Sequence, residues 1–267
     1  MLEYQHIKTT TGQTGFCKLG SGPALILAVG YSGTLFHWNR DFIYELARHF
    51  TVYLPDNRKI GLSDSTNPAS MLGLAQDMVD FIQAMQLDKP YLFGWSMGGV
   101  ITQTVLRHFP EILGGVVLLA TIPHATYTNR EFLQLVANAG NMPSNHFREQ
   151  LYGMFFSENP RAELKQFITN SALPIADYNY RFTDEARALQ DYAVITWEGM
   201  DEQLLSRINV PALILWARDD LVVGAEASQL LANFIPDAKL IVYPRGGHFF
   251  LHKNPVATAR DIINYFL

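Results

Sequence analysis

Five apolar runs constrain this chain's fold more than any other feature. They are "ALILAVG" (24–30), "TVYLPD" (51–56), "PYLFGW" (90–95), "GVVLLAT" (115–121) and "ALILWA" (212–217). Each has strand length and lacks regular polar alternation, so both of its faces must be covered. The covering segments are visible between them. Residues 35–49 put Phe36, Phe42, Ile43, Leu46 and Ala47 on one helical face, and 72–86 do the same with Leu74, Met78, Phe81, Ile82 and Met85. Helical spacing returns at 98–109, 225–234 and 256–266, with a further strand at 239–243. At the start, 3–8 and 14–18 flank "TTTGQTG" and read as a glycine-turned hairpin. Buried strands alternating with helices predict an α/β fold with a mostly parallel central sheet flanked by helices.

The alternation stops between Ile122 and Asn209. That block is rich in aromatic residues, is punctuated by Pro123, Pro143, Pro160 and Pro174, and is helical where a period can be read. It is far longer than the ~10–12 residues a simple crossover needs. The reading is a core of 1–121 and 210–267, with 122–209 a helical cap inserted between two late strands. Its aromatic side chains and Met142, Met154 and Met200 would form a large apolar patch if solvated. They are therefore expected to pack on the core, as a lid over the site described next, with a pocket beneath.

The 267 residues suit one large α/β domain. A net charge of −5 does not favour nucleic acid or anionic membranes as partners. No apolar run approaches the ~20 residues of a membrane span. The first residues, "MLEYQHIKTT", lack the basic start and apolar stretch of a signal peptide. A single cysteine, Cys17, allows no internal disulfide and reads as an inert thiol on an early strand. These points together predict a cytoplasmic protein.

Ser96 stands in "FGWSMGG", bracketed by Gly94 and Gly98, where the 90–95 run ends and the 98–109 helix begins. Gly-x-Ser-x-Gly is common by itself, but this context is specific. A sharp strand-to-helix turn needs small residues where backbones crowd, and it thrusts the serine out at the carboxyl end of the sheet. The helix N-terminus beside it favours a developing oxyanion. A serine hydroxyl is a weak nucleophile, so it needs a base and an acid to orient that base.

With these residues in view, the chain resembles the α/β-hydrolase fold superfamily over essentially its whole length, and in particular its carboxylesterase-like serine hydrolases. That resemblance implies a triad in the order Ser, acid, His. His248, in "YPRGGHFF" after the 239–243 strand, matches the family's final histidine. In "WARDDLVV", Asp220 lies three residues before Val223 and fits the acid best, with Asp219 the alternative. The backbone N–H groups of Met97 and Tyr31 correspond to the oxyanion donors. The family often has His-Gly where this chain has Val29-Gly30, so the bracing of that loop is expected to differ. "DNRKIGLSD" resembles another family loop, with Lys59 where glycine is usual, and Asp56 and Arg58 read as its scaffold.

Of the other histidines, His252 could pair with His248 on a metal, but no third ligand cluster is visible. His124 could border the pocket, and His6, His37, His49, His108 and His146 read as surface or packing residues. Neither a cofactor nor a metal is expected. The resemblance implies hydrolysis of a small to medium apolar ester or thioester. Two alternatives stay open: C–C bond hydrolysis of a ring-cleavage dienoic product, or perhydrolysis, on the same triad, and a non-catalytic ligand-binding protein. Haloalkane dehalogenation would need a carboxylate where Ser96 stands.

Overall fold

Six strands lie parallel in one sheet: β3 (Ala24–Ala28), β4 (Thr51–Pro55), β6 (Tyr91–Trp95), β7 (Gly115–Leu119), β8 (Ala212–Ala217) and β9 (Ala238–Tyr243). Their spatial order is β4-β3-β6-β7-β8-β9. The hairpin strands β1 (Tyr4–Lys8) and β2 (Gly12–Gly20) extend the sheet antiparallel beyond β4. The computed structural model describes residues 1–138, 141–156, 158–171 and 173–267.

The apolar runs behave as doubly covered strands must. Leu25, Leu27, Phe93, Val117, Leu119, Leu213 and Leu215 point into one core. Their neighbours Ile26, Ala28, Leu92, Val116, Leu118 and Ile214 point into the other. Helices α1 (Arg40–Leu46) and α10 (Pro255–Phe266) cover the first face through Phe42, Ile43, Ala259 and Ile262. Helices α2 (Met71–Ala84), α3 (Met97–His108) and α9 (Ala225–Phe234) cover the second through Phe81, Ile101 and Leu231.

Two sequence expectations are corrected here. The 35–49 helix is broken: a short 3₁₀ turn, Leu35–His37, precedes α1. Asn39 causes the break, because its side chain accepts the N–H groups of Asp41 and Phe42 and starts a new helix at Arg40. The second concerns residues 57–70, which are rich in turn formers and are predicted from the sequence to be a loop without strands. They contain β5 (Asp64–Ser65), which pairs with β2.

Between β7 and β8 the chain forms α4 (Arg130–Ala137), α5 (Ser144–Phe155), α6 (Pro160–Asn170), α7 (Asp184–Ile195) and α8 (Glu202–Leu205). Residues 139, 140, 157 and 172 of the expected cap lie outside the described residues. The insertion packs on the core at several points. Leu2 donates to the Pro174 carbonyl and accepts from the Ala176 amide, and Thr128 bridges to Val223. Phe155 stacks on Phe249 at 4.8 Å, and Phe167 packs edge-on against the same ring at 5.3 Å. Not every apolar side chain is used this way, since Tyr192 and Ile168 stay exposed.

Asp56 anchors part of this packing. Its carboxylate accepts hydrogen bonds from Tyr4 Oη at 2.7 Å and from Tyr178 Oη, in the insertion, at 2.8 Å. Each phenol oxygen in turn accepts a backbone N–H, from Leu62 and Leu35 respectively. Burial pushes the Asp56 carboxyl from 3.8 up to about 7, against the pull of these donors. A carboxyl whose folded pKa is raised contributes stability that is complete below its unfolded pKa and is lost as pH rises through the folded one. Asp56 should therefore take on the order of a few kcal/mol from stability between about pH 4 and 7. His252, which burial pushes down to about 3, acts in the opposite sense below pH 6.5. Thermal midpoints of wild type and Asp56→Asn, measured from pH 4.5 to 8, separate the two. The wild-type midpoint should fall relative to the mutant's as pH rises. Parallel profiles would show that Asp56 does not titrate in this range.

Candidate active site

Ser96 is the single residue between β6 and α3, and its backbone is forced. It sits at φ 55° and ψ −118°, a conformation costly for a side chain with a Cβ. The surroundings hold it there. Its N–H donates to the Leu119 carbonyl at 2.9 Å, and its carbonyl accepts from Thr121 Oγ1 at 2.8 Å. A Cβ at Gly94 would strike the Gly98 carbonyl, and one at Gly98 would strike the Ala28 carbonyl. Both glycines therefore let β6, α3 and β3 converge behind the serine, whose own side chain remains half-buried.

The loop after β9 delivers His248. Gly247 takes φ 62°, and any side chain on it would meet the Phe155 carbonyl. The Gly246 and Gly247 N–H groups donate to the two carboxylate oxygens of Asp219, at 3.1 and 2.9 Å. Asp219 therefore braces the histidine loop. Asp220, its neighbour, meets the ring: Asp220 Oδ2 lies 3.0 Å from His248 Nδ1. The other Asp220 oxygen accepts the N–H groups of Val222 and Val223 at 2.8 and 3.0 Å, which fixes the carboxylate. His248 Nε2 lies 3.1 Å from Ser96 Oγ. Both Asp220 and His248 are buried.

Tyr31 and Met97 flank the serine. Met97 opens α3, so its N–H has no partner within the helix. Among the described residues neither the Met97 nor the Tyr31 N–H donates to a protein acceptor. The Tyr31 loop lies against the serine, since a Cβ at Gly30 would sit 3.1 Å from Ser96 Cβ. Val29, where the family often has histidine, is buried in the core.

The remaining candidates lie apart from this geometry. His252 is buried among Trp95, Phe249 and Phe167, and burial keeps it neutral. Among the described residues no three His, Cys, Asp or Glu side chains gather as a metal site would require. His124 caps a 3₁₀ turn, its Nδ1 accepting the Thr126 N–H. Arg58 pairs with Asp77 at 2.6 Å and donates to the Asn67 carbonyl. Lys59 adopts φ 66°, the conformation for which glycine is suited, and its ammonium pairs with Asp64 and Glu185, each at 3.0 Å. Cys17 is fully buried, and burial pushes its thiol up to about 12. A cleft of about 390 Å3 opens between α4 and α5, lined by Leu135, Met142 and Met154 and by the polar Glu131, Gln134 and Gln150. Ser96 does not line it. Among the described residues no helix is long and apolar enough to cross a membrane.

Known proteins give this geometry its context. The model of a family described as the alpha/beta hydrolase fold matches residues 23–255. A putative carbamate hydrolase, RutD, of Pseudomonas savastanoi pv. phaseolicola is 24% identical over 257 residues, covering 93% of this chain and 95% of that one. A 2-hydroxy-6-oxo-6-(2'-aminophenyl)hexa-2,4-dienoic acid hydrolase of Metapseudomonas resinovorans is also 24% identical, covering 95% and 87%. Among solved structures, an alpha/beta hydrolase fold protein from Chitinophaga pinensis superposes with a TM-score of 0.83 at 21% identity, over 98% of this chain and 96% of that one.

Proposed function

The chain belongs to the α/β-hydrolase fold family, and from that premise we propose that it is a serine hydrolase cleaving a carboxylic ester or thioester through an acyl-enzyme. One observation carries the reading: the unbroken relay from Asp220 Oδ2 to His248 Nδ1 at 3.0 Å and from His248 Nε2 to Ser96 Oγ at 3.1 Å. Ser96 Oγ attacks the substrate carbonyl while its proton passes to His248 Nε2. The carbonyl electrons move onto oxygen, which the Met97 and Tyr31 N–H groups receive. Collapse expels the alcohol or thiol, which takes the proton from His248. Water, deprotonated by the same ring, then hydrolyses the acyl-enzyme. Asp220 orients the ring and stabilises its cation without taking the proton.

The insertion serves as a lid in this reading. Phe155 lies 5.9 Å from the His248 ring, and its neighbour Met154 walls the α4–α5 cleft. The aromatic rings of Phe155 and Phe249 beside His248 support a small to medium apolar acyl or aryl group. With one buried cysteine the chain requires no oxidising compartment, which is compatible with the cytoplasm.

The relatives' names favour two other substrates for the same nucleophile, a carbamate and a dienoic C–C substrate. All three present a carbonyl to Ser96. Purified enzyme assayed on p-nitrophenyl esters of graded acyl length, an aryl carbamate and a dienoic C–C substrate tests the choice. The ester reading expects the highest kcat/KM on short to medium acyl esters. Turnover of the dienoic substrate alone would replace it with the C–C reading.

A further inference from the structure

We propose that the helical insertion completes the oxyanion hole, with Gln190 of α7 as the positioning residue that holds the Gly30–Gly33 turn and thereby aims the Tyr31 N–H. The inference rests on the serine-hydrolase reading above. It answers what braces this loop where the family's histidine is replaced by Val29.

The turn has little support of its own. The Gly33 N–H donates to the Gly30 carbonyl at 3.1 Å. Because the Gly30–Tyr31 peptide is planar and trans, turning that carbonyl toward Gly33 points the Tyr31 N–H the opposite way. The next residue, Ser32, has φ 59°, a left-handed conformation that non-glycine residues avoid. Such a conformation persists only where its surroundings fix it.

The insertion provides that fixation. Gln190 Oε1 accepts the Ser32 N–H at 2.9 Å, across 158 positions of sequence. The Gln190 side chain is fully buried, so water does not compete for this bond. The next residue of α7, Asp191, accepts from Tyr31 Oη at 2.6 Å. Farther along the same loop, the Leu35 N–H donates to Tyr178 Oη at 3.2 Å. Three residues of the insertion therefore hold the segment 31–35, while Met97 on the other side of the serine is fixed by α3 alone. One oxyanion donor is positioned by the core and the other by the lid. Docking of the insertion would then bear on the chemical step as well as on substrate binding.

The test follows the rate of Ser96 phosphonylation by a fluorophosphonate, read by intact mass. In that reaction Ser96 Oγ bonds to phosphorus, fluoride leaves, the proton passes to His248, and the phosphoryl oxygen occupies the oxyanion position. It needs no knowledge of the natural substrate. Gln190→Met keeps size and removes the acceptor, and Gln190→Glu restores one. Gln190→Met should slow phosphonylation about 10- to 100-fold, part of the ~10²–10³ that one oxyanion donor supplies. On p-nitrophenyl acetate, kcat should fall by a similar factor with KM within about threefold of wild type, as expected for a contact realised in the transition state. Gln190→Glu should recover most of both losses. A Gln190→Met protein that reacts within threefold of wild type overturns the inference. So does a Glu variant that is folded, by its thermal midpoint, yet as slow as Met. If wild-type Ser96 is not phosphonylated at all, the serine-hydrolase reading fails and this inference falls with it, an outcome distinct from fast labelling in both variants.

Discussion

Ser96→Ala should reduce kcat/KM on the best p-nitrophenyl ester by about 10⁴- to 10⁶-fold, the range seen when a serine nucleophile is removed. The loss should fall in kcat, because the substituted side chain is half-buried and the binding surfaces are untouched. The fold should survive. Replacing Oγ by hydrogen removes the contact to His248 Nε2, while the backbone bonds that fix the turn, to Leu119 and from Thr121, remain. Steady-state kinetics on protein freed of contaminating esterases, together with a thermal midpoint, measures both halves of this expectation. Turnover within tenfold of wild type would remove Ser96 from the chemistry.

The second large effect separates two adjacent aspartates. Asp220→Asn should lower kcat by about 10³- to 10⁴-fold at neutral pH. An amide at this position presents either an oxygen or an NH₂ to His248 Nδ1. The two N–H groups of Val222 and Val223 already require an acceptor on the opposite side. The amide oxygen is drawn to them, so the NH₂ faces the ring and selects the tautomer with hydrogen on Nε2, which cannot accept the Ser96 proton. Asp219→Asn should cost much less, about 10-fold. It keeps one acceptor for Gly246 or Gly247 and disturbs His248 only through its loop. Comparing the two variants at pH 7 and pH 9 checks the assignment. A larger loss for Asp219→Asn would exchange the roles of the two residues.

How much of this could be read from the sequence depends on the distance over which each feature is encoded. The strands announced themselves because burial on both faces writes an unbroken apolar run, as at 115–119, all of it buried. Ser96 stood out because glycines at fixed short offsets record local backbone crowding, and His248 because its loop resembles the family's final Gly-Gly-His. The family resemblance favoured Asp220 over Asp219, through the place of Val223 in the family's loop, and in the structure both Val222 and Val223 donate to Asp220. The bracing role of Asp219 was not legible, since its partners are backbone N–H groups 27 and 28 residues away and any loop residue supplies those. Gln190, Asp191 and Tyr178 left no sequence signal for the same reason. Their partners lie 158, 160 and 143 positions away, and a lone Gln or Asp on an amphipathic helix looks like a solvated residue. The break at Asn39 was missed because an internal N-cap inside a periodic apolar stretch preserves the period on both sides. Strand β5, two residues long, is too short to carry any alternation.

The central claim is that Ser96 is a nucleophile activated by His248. Incubation of the wild-type protein with a fluorophosphonate, followed by peptide mapping, tests it most directly. One adduct per chain is expected, on the peptide containing Ser96. His248→Gln should label at least about 10²-fold more slowly, the scale of general-base assistance. No adduct, an adduct on another residue, or labelling of His248→Gln at the wild-type rate would contradict the account.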